Sequence, residues 1–140
     1  MPQFPSVEWF QALADRLNAS GSFQRLGSCD AEVGVQVGDR YFEVDFDAFE
    51  ITGVREIDAA RAHELDFVLV QSPEAWRAMI EDIRANGRAT GNFTLNSLDS
   101  QGAEEFARGQ DYHRRDLFYR YNQTFQEYFD QAAKVETLFA

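Results

Sequence analysis

The chain has 140 residues, 44% of them hydrophobic and 13 of them phenylalanine, so one domain can bury a core without help from a disulfide or a metal. Twenty-four acidic against 13 basic residues leave a formal charge of -11, which opposes phosphate backbones and anionic membrane surfaces, so neither a nucleic-acid partner nor stable membrane insertion is expected. Cys29 stands alone, which excludes an internal disulfide, and the chain has no secretory h-region and no membrane-length apolar run, so a cytoplasmic protein is expected.

In chain order, the first predicted element is a helix over residues 6–19, capped by Ser6, with Val7, Phe10, Leu13 and Leu17 on one stripe. Val33, Val35 and Val37 then alternate with Glu32, Gly34 and Gln36, the period of a half-buried strand. After a turn at Gly38-Asp39-Arg40, Phe42, Val44, Phe46 and Ala48 alternate with Glu43, Asp45 and Asp47, predicting a hairpin with one apolar and one acidic face. A third strand is predicted at about 50–57, with Gly53 marking a bulge or bend. Leu65–Val70 is a nearly continuous apolar run and predicts a fourth strand, buried on both faces.

Ser72-Pro73-Glu74 opens the clearest helix, over 72–86. Ser72 can accept a backbone N–H, Pro73 gives up a donor that would be unpaired, and Glu74 complements the dipole. Trp76, Met79, Ile80 and Ile83 repeat on one face, and Asn86-Gly87 supplies a left-handed stop. Phe93 and Leu95 alternate with Asn92, Thr94 and Asn96, which predicts a short strand or else extended coil over Gly91–Leu95. Asp99-Ser100-Gln101-Gly102 reads as a turn and Ala103–Arg108 as one or two helical turns. A last helix at about 114–133 carries Leu117, Phe118, Tyr121, Phe125, Tyr128, Phe129 and Ala132 on a wide stripe. Three roles are open to that stripe: ordinary core, the wall of a ligand cavity, or a homodimer contact, where tyrosine is enriched.

Catalytic, metal and cofactor signatures are weak. Asp45 and Asp47 lie two apart on one strand face and could pair as acid and base, but with Glu43 beside them they read first as a solvated sheet face. His63 and His113 have no metal-ligand spacing, and no glycine-rich phosphate loop occurs. His113-Arg114-Arg115-Asp116 reads as an ion-pair cluster at a helix start, with anion binding as the alternative.

The segment HELDFVLVQSPEAWRAMI, the leading helix VEWFQALADRLN and the glycine-led stretch Gly91–Leu95 resemble the sterol carrier protein 2 family of small lipid-binding domains over roughly residues 5–98. The resemblance implies an α+β fold, a five-stranded, mostly antiparallel sheet with helices packed on one face, and a hydrophobic tunnel between them for acyl chains or sterols. The chain departs from the family at Asp47-Ala48-Phe49, where a turn often carries Asp-Gly, and in its aromatic tail from Gly102 onward. Carriage of a hydrophobic small molecule or lipid without chemistry is therefore the expected function, with no cofactor, no metal and no catalytic residue. Its walls would be Phe46, Phe49, Trp76, Met79, Ile80, Ile83, Phe118, Tyr121, Phe125 and Phe129. The alternatives are a small isomerase- or dehydratase-like enzyme using Asp45 or Asp47 as general base, and an accessory or dimerisation subunit using the aromatic tail.

Overall fold

Ser6 is extended and its hydroxyl accepts the Trp9 N–H at 3.1 Å, which starts helix α1 at Val7 and runs it to Ala19. Trp9, Phe10, Leu13, Ala14 and Leu17 form its buried stripe. A short helix α2 follows at Ser22–Leu26. In this computed structural model, which describes residues 1–101 and 106–140, the next three elements are an antiparallel meander of β2 (Ala31–Val37), β3 (Arg40–Asp47) and β4 (Glu50–Ile57). The register opposes Asp45 to Gly53 but Phe46 to Ile51, so the bulge falls at Thr52, one residue before the glycine.

Asp58 caps the four-residue helix α3 (Ala59–Ala62), and the chain returns as β5 (Phe67–Gln71), parallel to β2. Ser72 caps α4 (Pro73–Asn86), accepting the Ala75 N–H at 3.1 Å, and Gly87 ends it at φ 83°. Strand β6 (Ala107–Arg108) pairs antiparallel with β5 and completes a five-stranded sheet of order β4-β3-β2-β5-β6. The fold is α+β with a mixed, mostly antiparallel sheet, as expected. A separate parallel pair, β1 (Gln3–Phe4) and β7 (Leu138–Phe139), joins the two ends of the chain.

The structure changes three sequence expectations. Gly91–Leu95 is neither strand nor coil: Gly91–Phe93 is a 3-10 turn, and Leu95–Gln101 is helix α5, with the Thr94 hydroxyl accepting the Ser97 N–H at 3.3 Å. Asp99, Ser100 and Gln101 therefore belong to a helix rather than a turn; residues 102–105, where the turn at Gly102 and the helical turns from Ala103 were expected, lie outside the described residues, and Ala107–Arg108 is strand. The single closing helix is broken into α6 (Tyr112–Arg115), α7 (Leu117–Arg120) and α8 (Asn122–Asp130), followed by a 3-10 turn at Gln131–Lys134.

The aromatic stripe survives these breaks because its rings meet the sheet. Phe125 packs edge-on to Phe46 and Phe67 with centroids 5.2 and 5.3 Å apart, Phe118 lies 5.8 Å from Phe67, and Phe129 stacks on Trp76 at 5.3 Å. Tyr128 is buried, and its hydroxyl donates to the Phe10 carbonyl at 2.8 Å, which links α8 to α1 and removes the cost of an unpaired buried hydroxyl. Trp76 likewise donates its indole N–H to the Gln36 carbonyl at 2.8 Å, fixing α4 against β2. Helices α1, α4 and α8 thus cover one face of the sheet. Helix α3 lies on the other.

Candidate functional site

That second, open face is where polar chemistry collects. Alternation along the strands sends Glu32, Gly34 and Gln36 of β2, Tyr41, Glu43 and Asp45 of β3, Gly53, Arg55 and Ile57 of β4, and Val68 and Val70 of β5 to the side away from the large helices. The hairpin register places Glu43 directly opposite Arg55. Asp58 accepts the Arg61 N–H at 2.8 Å, turning α3 so that the Arg61 side chain reaches back over the sheet.

Glu43 is the centre of this face, with a side chain 0% exposed. Arg55 contacts its Oε2 at 2.7 Å, while Arg61 donates from Nε to Oε1 at 3.0 Å and from Nη2 to Oε2 at 3.1 Å. Asp45 takes Arg55 at 2.8 Å through Oδ2, and its Oδ1 is buried with no donor facing it. Arg61 continues to Glu32 at 2.9 Å, and Arg114 of α6 pairs with Asp66 at 2.7 Å, which in turn accepts the Glu32 backbone N–H. The expectation of a uniformly solvated acidic face is corrected here: Asp47 is exposed, but Glu43 is buried and Asp45 mostly so, because Arg55 and Arg61 cover them. The acid pair that forms is Glu43 with Asp45, not Asp45 with Asp47.

Burial alone would push Glu43 up, but hydrogen bonds from Arg61 and Asp45 and the charges of Arg55 and Arg61 outweigh it and hold the carboxyl at about 2. Asp45 goes the other way. Burial, then its hydrogen bond to Glu43 and the Glu43 charge, push it up to about 6 against the pull of Arg55. Among the described residues, carboxylate oxygens of Glu32, Glu43 and Asp45 lie within 4.8 Å of one another, but guanidinium nitrogens of Arg55 and Arg61 already sit on the same three carboxylates.

Beside this network the open face holds a pocket of about 280 Å³ lined by Gln36, Tyr41, Ala59, Ala62, His63, Leu65, Val68, Val70 and the loop Arg108-Gly109-Gln110. Leu65, Val68, Val70, Ala59 and Ala62 supply its apolar lining, and Gln36, Tyr41, His63, Arg108 and Gln110 its polar lining. Two of the lining residues are joined by a 3.0 Å hydrogen bond between the Gln110 amide nitrogen and His63 Nδ1. Gly34 makes the floor possible. A Cβ there would lie 2.8 Å from a Val68 methyl and 3.0 Å from a Leu65 methyl, so the bare backbone lets both side chains lie down on the sheet. Gly53 does the same for the charge network, since a Cβ there would meet the Arg55 guanidinium at 2.6 Å.

The sequence-predicted wall residues are elsewhere. Phe46, Trp76, Met79, Ile80, Ile83, Phe118, Phe125 and Phe129 are buried together in the aromatic core, Tyr121 is partly buried beside Phe125, and Phe49 is 55% exposed in the β3–β4 turn. The structure brings eight of the ten together, and none of the ten lines the open-face pocket. Sequence reasoning missed Arg55, Arg61, Gly34 and His63 as site residues. Two signals pointed there: the hairpin register opposing Glu43 to Arg55, and the Asp58 cap three residues before Arg61. Arg114 does pair at the helix start, with Asp66, while Arg115 donates to the Ala107 carbonyl at 2.8 Å. Cys29 is buried, and burial with the neighbouring Asp30 pushes its thiol up to about 12, which leaves it no thiolate character. Among the described residues no helix is long and apolar enough to cross a membrane.

Comparison with protein-family models, with curated proteins and with solved structures returned no match.

Proposed function

We propose that this protein binds a small hydrophobic or amphiphilic molecule without transforming it, and that the open-face pocket is where the ligand sits. The observation that carries this reading is the apolar lining of Leu65, Val68, Val70, Ala59 and Ala62 on a sheet face otherwise occupied by paired charges. A concave apolar surface with a few convergent polar groups is the usual form of a small-molecule site. At about 280 Å³ the pocket suits a short acyl chain or a compact aromatic molecule rather than a full-length lipid. The resemblance of HELDFVLVQSPEAWRAMI to the sterol carrier protein 2 family supports the ligand class, and the close aromatic packing of the sheet–helix interior favours the opposite face for the site.

The test is uptake of the neutral fluorophore N-phenyl-1-naphthylamine and its displacement by 1-octanol, with Val68→Trp as the blocking variant. Val68 is only partly buried and points into the pocket, so the larger ring fills the cavity without invading the core. Stoichiometric micromolar binding that falls at least about tenfold in Val68→Trp, a loss of about 1.4 kcal/mol, supports the reading. Absence of binding, or binding indifferent to the substitution, overturns it.

A second reading, proton transfer at Asp45, is favoured by a carboxyl pushed up to about 6, within reach of neutral pH, on the same strand face as Tyr41. It has less support, because the Oδ1 atom that would take the proton is buried beside Glu43 rather than open to the pocket.

A further inference from the structure

Resting on that reading, we propose that a proton held between Asp45 and Glu43 latches α3 onto the sheet and so tightens the open-face pocket around its ligand in mildly acid solution. Asp45 Oδ1 is buried without a donor, while Glu32, Glu43 and Asp45 bring carboxylate oxygens within 4.8 Å of one another. A proton on Asp45 turns its contact with Glu43 from repulsion between two anions into a hydrogen bond between an acid and a carboxylate.

The charges facing the pair come from every neighbouring element. Arg55 reaches it from β4, Arg61 from α3 and Glu32 from β2; behind them stand Glu64, paired with Arg61 at 3.2 Å, and Arg114 with Asp66, Arg114 lying 3.9 Å from Glu32. Tyr41 and Asp47 flank the pair along β3 itself. With Asp45 ionised, the inner cluster sets three carboxylates against the two guanidiniums of Arg55 and Arg61. With Asp45 protonated it sets two against two. The upward shift of Asp45 agrees with this count.

The balance reaches the pocket through one residue. Arg61 belongs to the same four-residue helix as Ala59 and Ala62, and His63 follows directly, so three lining residues move with the side chain that grips Glu43 and Glu32. So short a helix has little stability of its own, and its position is set by what Arg61 and the Asp58 cap hold. A neutral Asp45 leaves Glu43 free of a competing anion, and the grip on Arg61 strengthens.

The experiment measures N-phenyl-1-naphthylamine affinity at pH 5 and pH 8 together with the backbone amide shifts of Arg61, Ala62 and His63 by NMR across the same range. The fluorophore carries no titrating group in this window. The expected result is an affinity about fivefold or more higher at pH 5. In Asp45→Asn, which cannot ionise but can still donate to Glu43, affinity should not change with pH and should match the low-pH value. In the His63→Gln background, which removes the imidazole from the pocket lining, the ratio between the two pH values should persist. In that background the Arg61 and Ala62 amide shifts should titrate with a midpoint near 6 and stand still once Asp45→Asn is added. If the fluorophore fails to bind at any pH, the ligand reading fails while the amide titration still decides the latch. Amide shifts that ignore Asp45, or an Asp45→Asn protein that keeps the pH response, would overturn the proposal.

Discussion

Asp45 and Glu43 show how two carboxyls of nearly equal intrinsic strength are driven apart by their settings. Asp45 is raised to about 6, so its contribution to stability is full below its ordinary value of 3.8 and is lost as the pH rises through 6. Glu43 is lowered to about 2, so its contribution is full above 4.5 and is lost as the pH falls through 2. Together they favour the folded state most between about pH 4 and 5. Asp45→Asn isolates the first term: the melting temperature of the variant, measured relative to the native chain, should be higher at pH 8 than at pH 5 by a few degrees. A difference that does not vary with pH would contradict the shift. The strand alternation correctly sent Glu43 and Asp45 to the polar side, but it could not show their burial. Their covers, Arg55 and Arg61, lie 12 and 18 residues from Glu43 in the chain, and a two-residue period is blind to that separation.

Elements with strong local chemistry were legible. Ser6, Ser72 and Gly87 all act where the sequence put a cap or a stop, and β4 runs over the expected 50–57. Gly91–Leu95 misled because alternation over so few residues, among Asn and Thr, also fits a turn feeding a capped helix; Leu95 is buried, and its N–H donates to Gln126 of α8 at 2.8 Å, a long-range contact that settles the matter. The breaks at Asp116 and Tyr121 leave no mark in the aromatic stripe, which keeps its helical period across them. Two caps of the same type should now behave differently. Ser72→Ala should cost about 1 kcal/mol of global stability by urea denaturation, since α4 carries much of the core. Asp58→Ala should lower the urea midpoint less, because α3 buries only Ala62 of its own residues and Arg55 stays on Glu43, yet weaken fluorophore binding by freeing the wall it carries. Equal global losses in the two variants would show that α3 is part of the cooperative core and not an independently held wall.

At the scale of the whole molecule the sheet separates two environments. On one side buried phenylalanines and both tryptophans pack α1, α4 and α8 against the strands with rings at centroid separations of about 5–6 Å, Phe46, Phe67, Phe118, Phe125, Trp76 and Phe129 among them. On the other, a ladder of alternating carboxylates and guanidiniums holds α3 and α6 above a shallow apolar floor. Composition announced the abundance of aromatic rings but not which side of the sheet would be filled and which left concave, because that depends on how three helices far apart in sequence pack together. The site claim is therefore tested most directly by NMR chemical-shift mapping during titration with N-phenyl-1-naphthylamine. The largest shifts should fall on Ala62, His63, Leu65, Val68, Val70 and Gln110, with Trp76, Phe118, Phe125 and Phe129 little changed. Shifts concentrated on those four rings, with Val68 and Val70 silent, would place the ligand in the aromatic interior and contradict the account.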